Sequence, residues 1–276
     1  MRRVRMYLVI FLSLFVLGLI VKTYYDTNVF KVEGLEITTS KLEMDQSFTV
    51  LQLTDLHNKQ FGDHNEKLLH KIEELDADVI VITGDLIDRR TDSLQFVFDF
   101  AEKLTAINSS VYFVSGNHEW ENSKRESFFQ GLADKGIQLI DNQNLSIEIE
   151  NITFQLAGVG DPSTKHDNIE GAMDGLNVDD VTFLLSHAPD LSRTDYPEPI
   201  DLVLSGHTHG GQIRLPLIGA IVAPDQGFFP KYDQGIFDLN ERQQLYIDSG
   251  LGTSLIDVRM FNQSQMTLIT VKGVGK

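Results

Sequence analysis

Three times in the first half of the chain, a short apolar run ends in a polar turn and gives way to a stretch with helical spacing. The runs are residues 48–54, 78–83 and 111–115; the helical stretches are 65–75, 92–104 and 123–134. In the first of these, Leu68, Leu69, Ile72 and Leu75 fall on one side, the spacing of an amphipathic helix. The run at 78–83 is apolar on successive residues, as a strand buried on both faces should be. Strand and helix in alternation predict a largely parallel sheet. Five more strand candidates, 152–157, 181–186, 201–205, 245–248 and 266–271, have little helix between them. They predict a second sheet packed on the first.

Ahead of this pattern lies an uncharged, mostly apolar run at 6–21, preceded by Arg2, Arg3 and Arg5 and followed by Tyr24 and Tyr25. A helix of that run would span about 24 Å, slightly short of a bilayer core. The interfacial tyrosines and the lack of a small-residue cleavage site favour an uncleaved anchor over 1–25, with export after cleavage as the alternative. The positive flank predicts a cytoplasmic N-terminus and a catalytic domain on the other side of the cell membrane. Residues 26–45 read as a linker, and 46–276 as one domain.

The chain carries 40 acidic and 23 basic side chains, a formal charge of -17, and four of the basic residues lie in the first 25 positions. So acidic a domain lacks the positive footprint of a nucleic-acid binder. Cysteine is absent, which excludes disulfides, zinc-thiolate sites and thiol nucleophiles. Any metal must sit on nitrogen and oxygen.

Such ligands stand just beyond the strand candidates. Asp55 and His57 follow the first, Gly84-Asp85 the second, Gly116-Asn117-His118-Glu119 the third; His187 follows 183–186, and His207 and His209 follow 202–205. The carboxyl ends of strands in α/β sheets lie along one edge, where residues distant in sequence converge. Gly84, Gly116 and Gly206 leave the backbone free to turn there and leave room for ions. Imidazole with carboxylate suits two divalent cations, manganese first, with iron or zinc possible. A carboxylate between two such ions can bridge them, and the pair can clamp a hydroxide and a phosphoryl oxygen. Two dications less Asp55, Asp85 and a hydroxide leave a positive centre, a partner for an anionic phosphate. Taken singly, each piece has a plainer reading: Asp-x-His as a surface loop, Gly-Asp as a turn, Asn117 as a helix cap, His187 as a satisfied structural histidine. The ordered set is far more specific. His64, His70 and His166 fit no such position and read as surface or helix residues.

With its blocks Thr54-Asp55-Leu56-His57, Gly84-Asp85-Leu86-Ile87-Asp88, Gly116-Asn117-His118-Glu119, Ser186-His187 and Gly206-His207-Thr208-His209, the chain resembles the calcineurin-like metallophosphoesterases. The extension Gly210-Gly211-Gln212-Ile213 resembles a membrane-associated or exported bacterial subgroup. The resemblance implies a four-layer α-β-β-α sandwich of two mixed sheets, here with an N-terminal transmembrane helix. It also implies two metal sites: Asp55, His57, Asp85 and His209 at the first, with Asp85 bridging to a second completed by Asn117, His187 and His207. His118 would stabilise or protonate the leaving oxygen, Asp88 would hydrogen-bond His118 and keep it charged, and Arg89 would contact phosphate. The expected activity is hydrolysis of a phosphodiester or pyrophosphate by a metal-bridging hydroxide, on a lipid-linked or nucleotide-sugar-lipid substrate. A soluble nucleotide phosphodiesterase or phosphomonoesterase, and a metal-binding receptor without turnover, are the alternatives. Phe228 and Phe229 are candidates for acyl contact, with ordinary core packing as the plainer reading.

Overall fold

A computed structural model describes residues 2–189, 196–254 and 256–275; Met1, residues 190–195, Leu255 and Lys276, parts of the spans assigned above to anchor and domain, lie outside the described residues. The helices are α1 (Arg2–Asn28), α2 (Glu66–Leu75), α3 (Gln95–Ile107), α4 (Asn117–Glu121), α5 (Arg125–Asp134) and α6 (Ile169–Met173). The first sheet has the order β1 (Lys31–Thr39), β16 (Gln265–Gly273), β2 (Ser47–Leu53), β3 (Val79–Thr83), β4 (Val111–Val114), β5 (Gln138–Leu139). The second has β14 (Gly235–Asp238), β15 (Gln244–Ile247), β9 (Leu202–Ser205), β8 (Val181–Leu185), β7 (Ile152–Gly158), β6 (Gln143–Ile149). Two small hairpins, β10 (Arg214–Leu215) with β11 (Gly219–Ala220) and β12 (Val222–Ala223) with β13 (Gly227–Phe228), stand apart from both.

Side-chain alternation along the strands builds the layers. Leu51, Leu53, Ile80 and Ile82 pack with Leu68 and Ile72 of α2, Val97 and Phe100 of α3 and Phe128 of α5. The opposite faces, Phe48, Val50, Val79 and Val81, meet Phe154, Leu156, Phe183 and Leu185 of the second sheet. The outer face of that sheet, with Leu184, Val203 and Leu245, is covered by Ala172 and Ile169 of α6 and by loop residues. The fold is thus the four-layer α/β sandwich with two mixed sheets, its fourth layer thin.

Three segments differ from the sequence reading. Residues 266–271, expected in the second sheet, form β16, which lies between β1 and β2 of the first and runs antiparallel to β2. Residues 26–45, read as a linker, contain β1, which pairs in parallel with β16 over nine positions. Its face alternates polar with Val32, Leu35 and Ile37 only partly buried, an edge-strand pattern too weak to stand out. The apolar helix runs on to Asn28, 27 residues in all, about 40 Å at 1.5 Å per residue and enough to cross a bilayer. It carries no charge from Met6 to Val21, which makes it a candidate membrane span.

Candidate metal centre

The loops that leave β2, β3, β4, β8 and β9 converge at one edge of the sandwich. Those after β2 and β3 are laced together: Asp55 N–H donates to Gly84 O (3.1 Å) and His57 N–H to Asp85 O (3.0 Å). Five of the seven expected ligands, Asp55, His57, Asp85, His207 and His209, have positive φ, between 46° and 67°. That region costs a non-glycine residue about 1–3 kcal/mol and persists where surroundings over-determine it. The three glycines make room for the ligand side chains themselves. A Cβ on Gly84 would strike the His187 ring, one on Gly116 the Asp85 carboxylate, and one on Gly206 the Asp55 carboxylate. Only Gly84 of the three also needs positive φ.

All seven side chains meet. Asp55 Oδ1 lies 3.3 Å from His209 Nε2 and 3.8 Å from His57 Nε2, and the two Nε2 atoms are 3.2 Å apart. Beside this group, His187 Nε2 lies 3.3 Å from Asp85 Oδ2, 3.2 Å from Asn117 Oδ1 and 3.2 Å from His207 Nδ1. Asp85 Oδ2 stands between the groups, 3.5 Å from His57 Nε2. The donor set fits a cation. Asp55 Oδ1 is buried with no hydrogen-bond partner, an arrangement that costs free energy unless something positive fills it. His187 Nδ1 lies 2.8 Å from Thr83 O, so it carries the proton and leaves Nε2 free to ligate. His207 Nε2 is 2.7 Å from Asp225 Oδ2, which leaves Nδ1 facing the centre.

Charge agrees. Burial alone would raise both carboxyls, but His209 and His57 hold Asp55 far below the carboxylate range, and His187 holds Asp85 well below it. Burial likewise disfavours charge on His57 and His187, yet Asp55 and Asp85 raise both imidazoles. The carboxylates attract protons to the histidines, and a metal would displace those protons.

His118 and its neighbours sit at the rim. Asp88 Oδ2 is 3.3 Å from His118 Nδ1, but the hydrogen bond to that nitrogen comes from Arg89 N–H at 3.1 Å. Burial pushes His118 down to about 4, against Asp85, so the ring is neutral near pH 7 rather than kept charged by Asp88. The Arg89 side chain is no idle surface group: Nη2 is 2.7 Å from His118 Nε2, and Nη1 is 2.6 Å from Glu121. His64 and His70 are exposed on short and long helices, and His166 stacks on Trp120 with ring centroids 3.5 Å apart.

Three residues with structural parts in the centre were not singled out by sequence. Glu119, buried, accepts from the N–H groups of Asp85, Gly116 and Ile87 (2.9, 2.8 and 3.2 Å) and so ties the β3 loop to α4. Its place in the Gly-Asn-His-Glu block was the available signal. Arg259, fully buried, donates to Ser249 O and Gly252 O (2.5 and 2.6 Å) and reaches His209 O at 3.5 Å. Asp225 lies in the turn between β12 and β13. Neither Arg259 nor Asp225 falls near a recognisable block.

Residues 48–211 match the family model described as calcineurin-like phosphoesterase. An uncharacterized metallophosphoesterase of Campylobacter jejuni is 31% identical over 271 residues, 95% of this chain and 69% of the relative. One of Bacillus subtilis is 30% identical over 237 residues, 83% of this chain and 80% of the relative. A protein of Danio rerio named for its transmembrane part and metallophosphoesterase domain is 29% identical over 260 residues, 88% of this chain and 57% of the relative. With these matches and the converged carboxylates and imidazoles, the chain belongs to the calcineurin-like phosphoesterases and is a metal-dependent phosphoric ester hydrolase.

Proposed function

We propose that the chain cleaves a phosphodiester or pyrophosphate with two divalent cations, manganese first among them, and that its substrate is lipid-linked. One observation carries the pair: Asp85 Oδ2 is within 3.5 Å of His57 Nε2 and 3.3 Å of His187 Nε2, one carboxylate oxygen facing two histidine groups. On this reading Asp55, His57, His209 and Asp85 hold one cation, and Asp85, Asn117, His187 and His207 the other. Bound there, divalent cations activate water near neutral pH and neutralise phosphoryl charge.

The chain's own groups do the rest. Arg89 N–H donates to His118 Nδ1 and Arg89 Nη2 faces Nε2 as a second donor; a neutral ring accepts at one nitrogen only, so Nε2, the nitrogen nearer Asp85 (4.0 Å), carries the proton once the guanidinium has turned away. From there the neutral ring can donate a hydrogen bond to a departing oxygen and stabilise its charge. The Arg89 guanidinium, beside the same nitrogen, swings to a phosphate oxygen as substrate enters. Asp88 accepts from Arg90 N–H (2.9 Å) and fixes the loop that carries both. The lipid-linked substrate is supported by α1, which would hold the centre close to a membrane. Arg2, Arg3 and Arg5 favour a catalytic domain outside the cytoplasm; export after cleavage of the segment is the competing outcome.

The test is hydrolysis of bis(p-nitrophenyl) phosphate and p-nitrophenyl phosphate by metal-stripped protein, with manganese, iron and zinc returned singly. The diester should be turned over, best with manganese. A monoester preference would favour a phosphomonoesterase, and no turnover with any metal would favour a receptor. Long-chain diphosphates should then outpace short-chain ones; equal rates would remove the lipid.

A further inference from the structure

The hairpin segment after the centre has an unusual surface. Residues 215–230 contain a single charged residue, Asp225, in a chain whose residues are 23% charged. Asp225 is itself engaged with His207. The hairpins expose Leu217 fully and leave Ile218, Phe228 and Phe229 60%, 77% and 67% exposed. The core-packing reading of Phe228 and Phe229 is thereby overturned: they extend from a two-residue strand that joins neither sheet. Clustered apolar exposure of this kind marks an interaction surface.

What covers it is indicated by where the segment is tied. Residues 259–264 clasp the last turns of α1: Arg259 N–H donates to Thr27 Oγ1 (2.8 Å), Ser264 N–H to Asp26 O (2.9 Å), and Lys22 Nζ lies 5.8 Å over the Phe261 ring. The same residues clasp the first hairpin. Arg214 N–H donates to Met260 O (2.9 Å), and Met260 N–H to Gln212 O (3.1 Å). One loop therefore separates the foot of the apolar helix from the hairpin. Leu217 is three residues beyond Arg214, within about 10 Å at ~3.3 Å per residue. Lys22, Tyr24 and Tyr25, the kinds of residue that settle at a membrane interface, lie at that same foot.

We propose that both hairpins seat their exposed apolar side chains, Leu217 and Ile218 of the first and Phe228 and Phe229 of the second, in the interfacial layer of the bilayer that α1 crosses, so that the domain is held at two points rather than hung on one helix. The exposed apolar residues carry no charge, and the one charge in the segment, Asp225, is turned to His207; this suits the acyl boundary of a bilayer and gives a charged protein surface nothing to pair with. Asp225 lies in the second hairpin, so seating it sets the mouth of the metal centre against the headgroups. The proposal needs α1 to span a membrane but no particular substrate.

The test uses the full chain in phosphatidylcholine nanodiscs at one chain per disc. Since the chain has no cysteine, Leu217→Cys and Phe228→Cys each accept one environment-sensitive nitrobenzoxadiazole label. Val178→Cys is the control: Val178 is exposed and precedes β8, at the strand end opposite the centre. With nitroxide lipids labelled near the headgroup, the 217 and 228 labels should emit to the blue and lose more than half their intensity, while the 178 label loses little. Equal quenching at all three positions would overturn the proposal. So would blue-shifted emission without quenching, the result of tips covered by protein. No arm requires turnover, so failure here is distinct from failure of the phosphoesterase chemistry.

Discussion

His187 and His207 each give one ring nitrogen to a protein acceptor, Thr83 O and Asp225 Oδ2, whereas Nδ1 of His57 and of His209 is buried with no hydrogen-bond partner. The two halves of the metal centre are therefore held by different means. In the half with Asn117, His187 and His207, acceptors fix tautomer and ring angle, the usual device around metal-binding imidazoles. In the half with Asp55, His57 and His209, all three residues take positive φ, and their loops are pinned from behind. A Cβ on Gly250 or Gly252 would strike Asp55 or the backbone of Leu56, and Arg259 gathers the carbonyls of Ser249, Gly252 and His209. One half is aligned by side-chain hydrogen bonds, the other by packed backbone. The first kind of support can be lost singly; the second fails as a unit.

The largest effect should come where the halves meet. Asp85→Asn removes the carboxylate that faces both, and its N–H groups would oppose the imidazoles of His57 and His187. Turnover should fall to the level of the metal-free protein, and metal content by mass spectrometry should drop by more than one ion per chain. Loss of a single ion with activity retained would mean the halves act separately. His118→Ala comes next. Its ring meets His57 edge-on, with centroids 4.5 Å apart, but it is a ligand in neither half, so its loss should leave metal content unchanged while lowering kcat by about 10²–10⁴. Because burial holds His118 near 4, its neutral form, which offers a hydrogen bond to the leaving oxygen, is full at pH 7 and is lost only as the pH falls through about 4. The wild-type rate should show no inflection from this group between pH 6 and 8, and replacing Asp88 by Asn should not create one.

The two halves were also unequally legible in sequence. Every one of the seven converging ligands stands within four residues of a strand end, so apolar runs alone located them. Their supports are different. Thr83 offers a main-chain carbonyl, which no side-chain motif reports. Arg259 lies in an irregular stretch and pairs with carbonyls, and Asp225 sits between strands of two residues, too short to show a period. The fold divides the same way. The buried strands and amphipathic helices of the first sheet were read within about three residues of their ends. The half-buried edge strand β1 was taken for linker, and the helix α4, five residues long, was missed as an element. Burial on a regular period leaves a trace in sequence; support through backbone atoms leaves none.

Arg259→Met tests the backbone-held half. Burial pushes the guanidinium down to about 10, opposed by Asp55 and Asp248, so it stays cationic at neutral pH. No carboxylate lies within ion-pair distance of it among the described residues. Methionine would leave buried carbonyls without donors, at about 1–3 kcal/mol each, while relieving the desolvation of the charge. A net loss on the order of 2–4 kcal/mol is expected in urea unfolding of the metal-free protein. Chelator titration should then strip the ion near His209 before the ion near His187. Release of both together, with unchanged stability, would show that the backbone does not depend on Arg259.

Asp225→Ala tests the hydrogen-bonded half and should have the smallest effect. Loss of an outer partner of a metal-binding histidine typically costs 10–100-fold in metal affinity. Here the low end, about tenfold, is expected, because the Asp225 side chain is 60% exposed and water can take its place at His207 Nε2. The fold should be untouched, since Asp225 lies in a turn outside both six-stranded sheets and, among the described residues, its side chain is hydrogen-bonded to that imidazole alone. Asp225→Asn separates geometry from charge. Its amide oxygen still accepts from Nε2 and keeps Nδ1 turned to the centre, so most of the affinity should return if alignment is what Asp225 supplies. If Asn is as weak as Ala, the negative charge raises the basicity of His207 instead, and the contrast between the halves is one of electrostatics rather than of geometry.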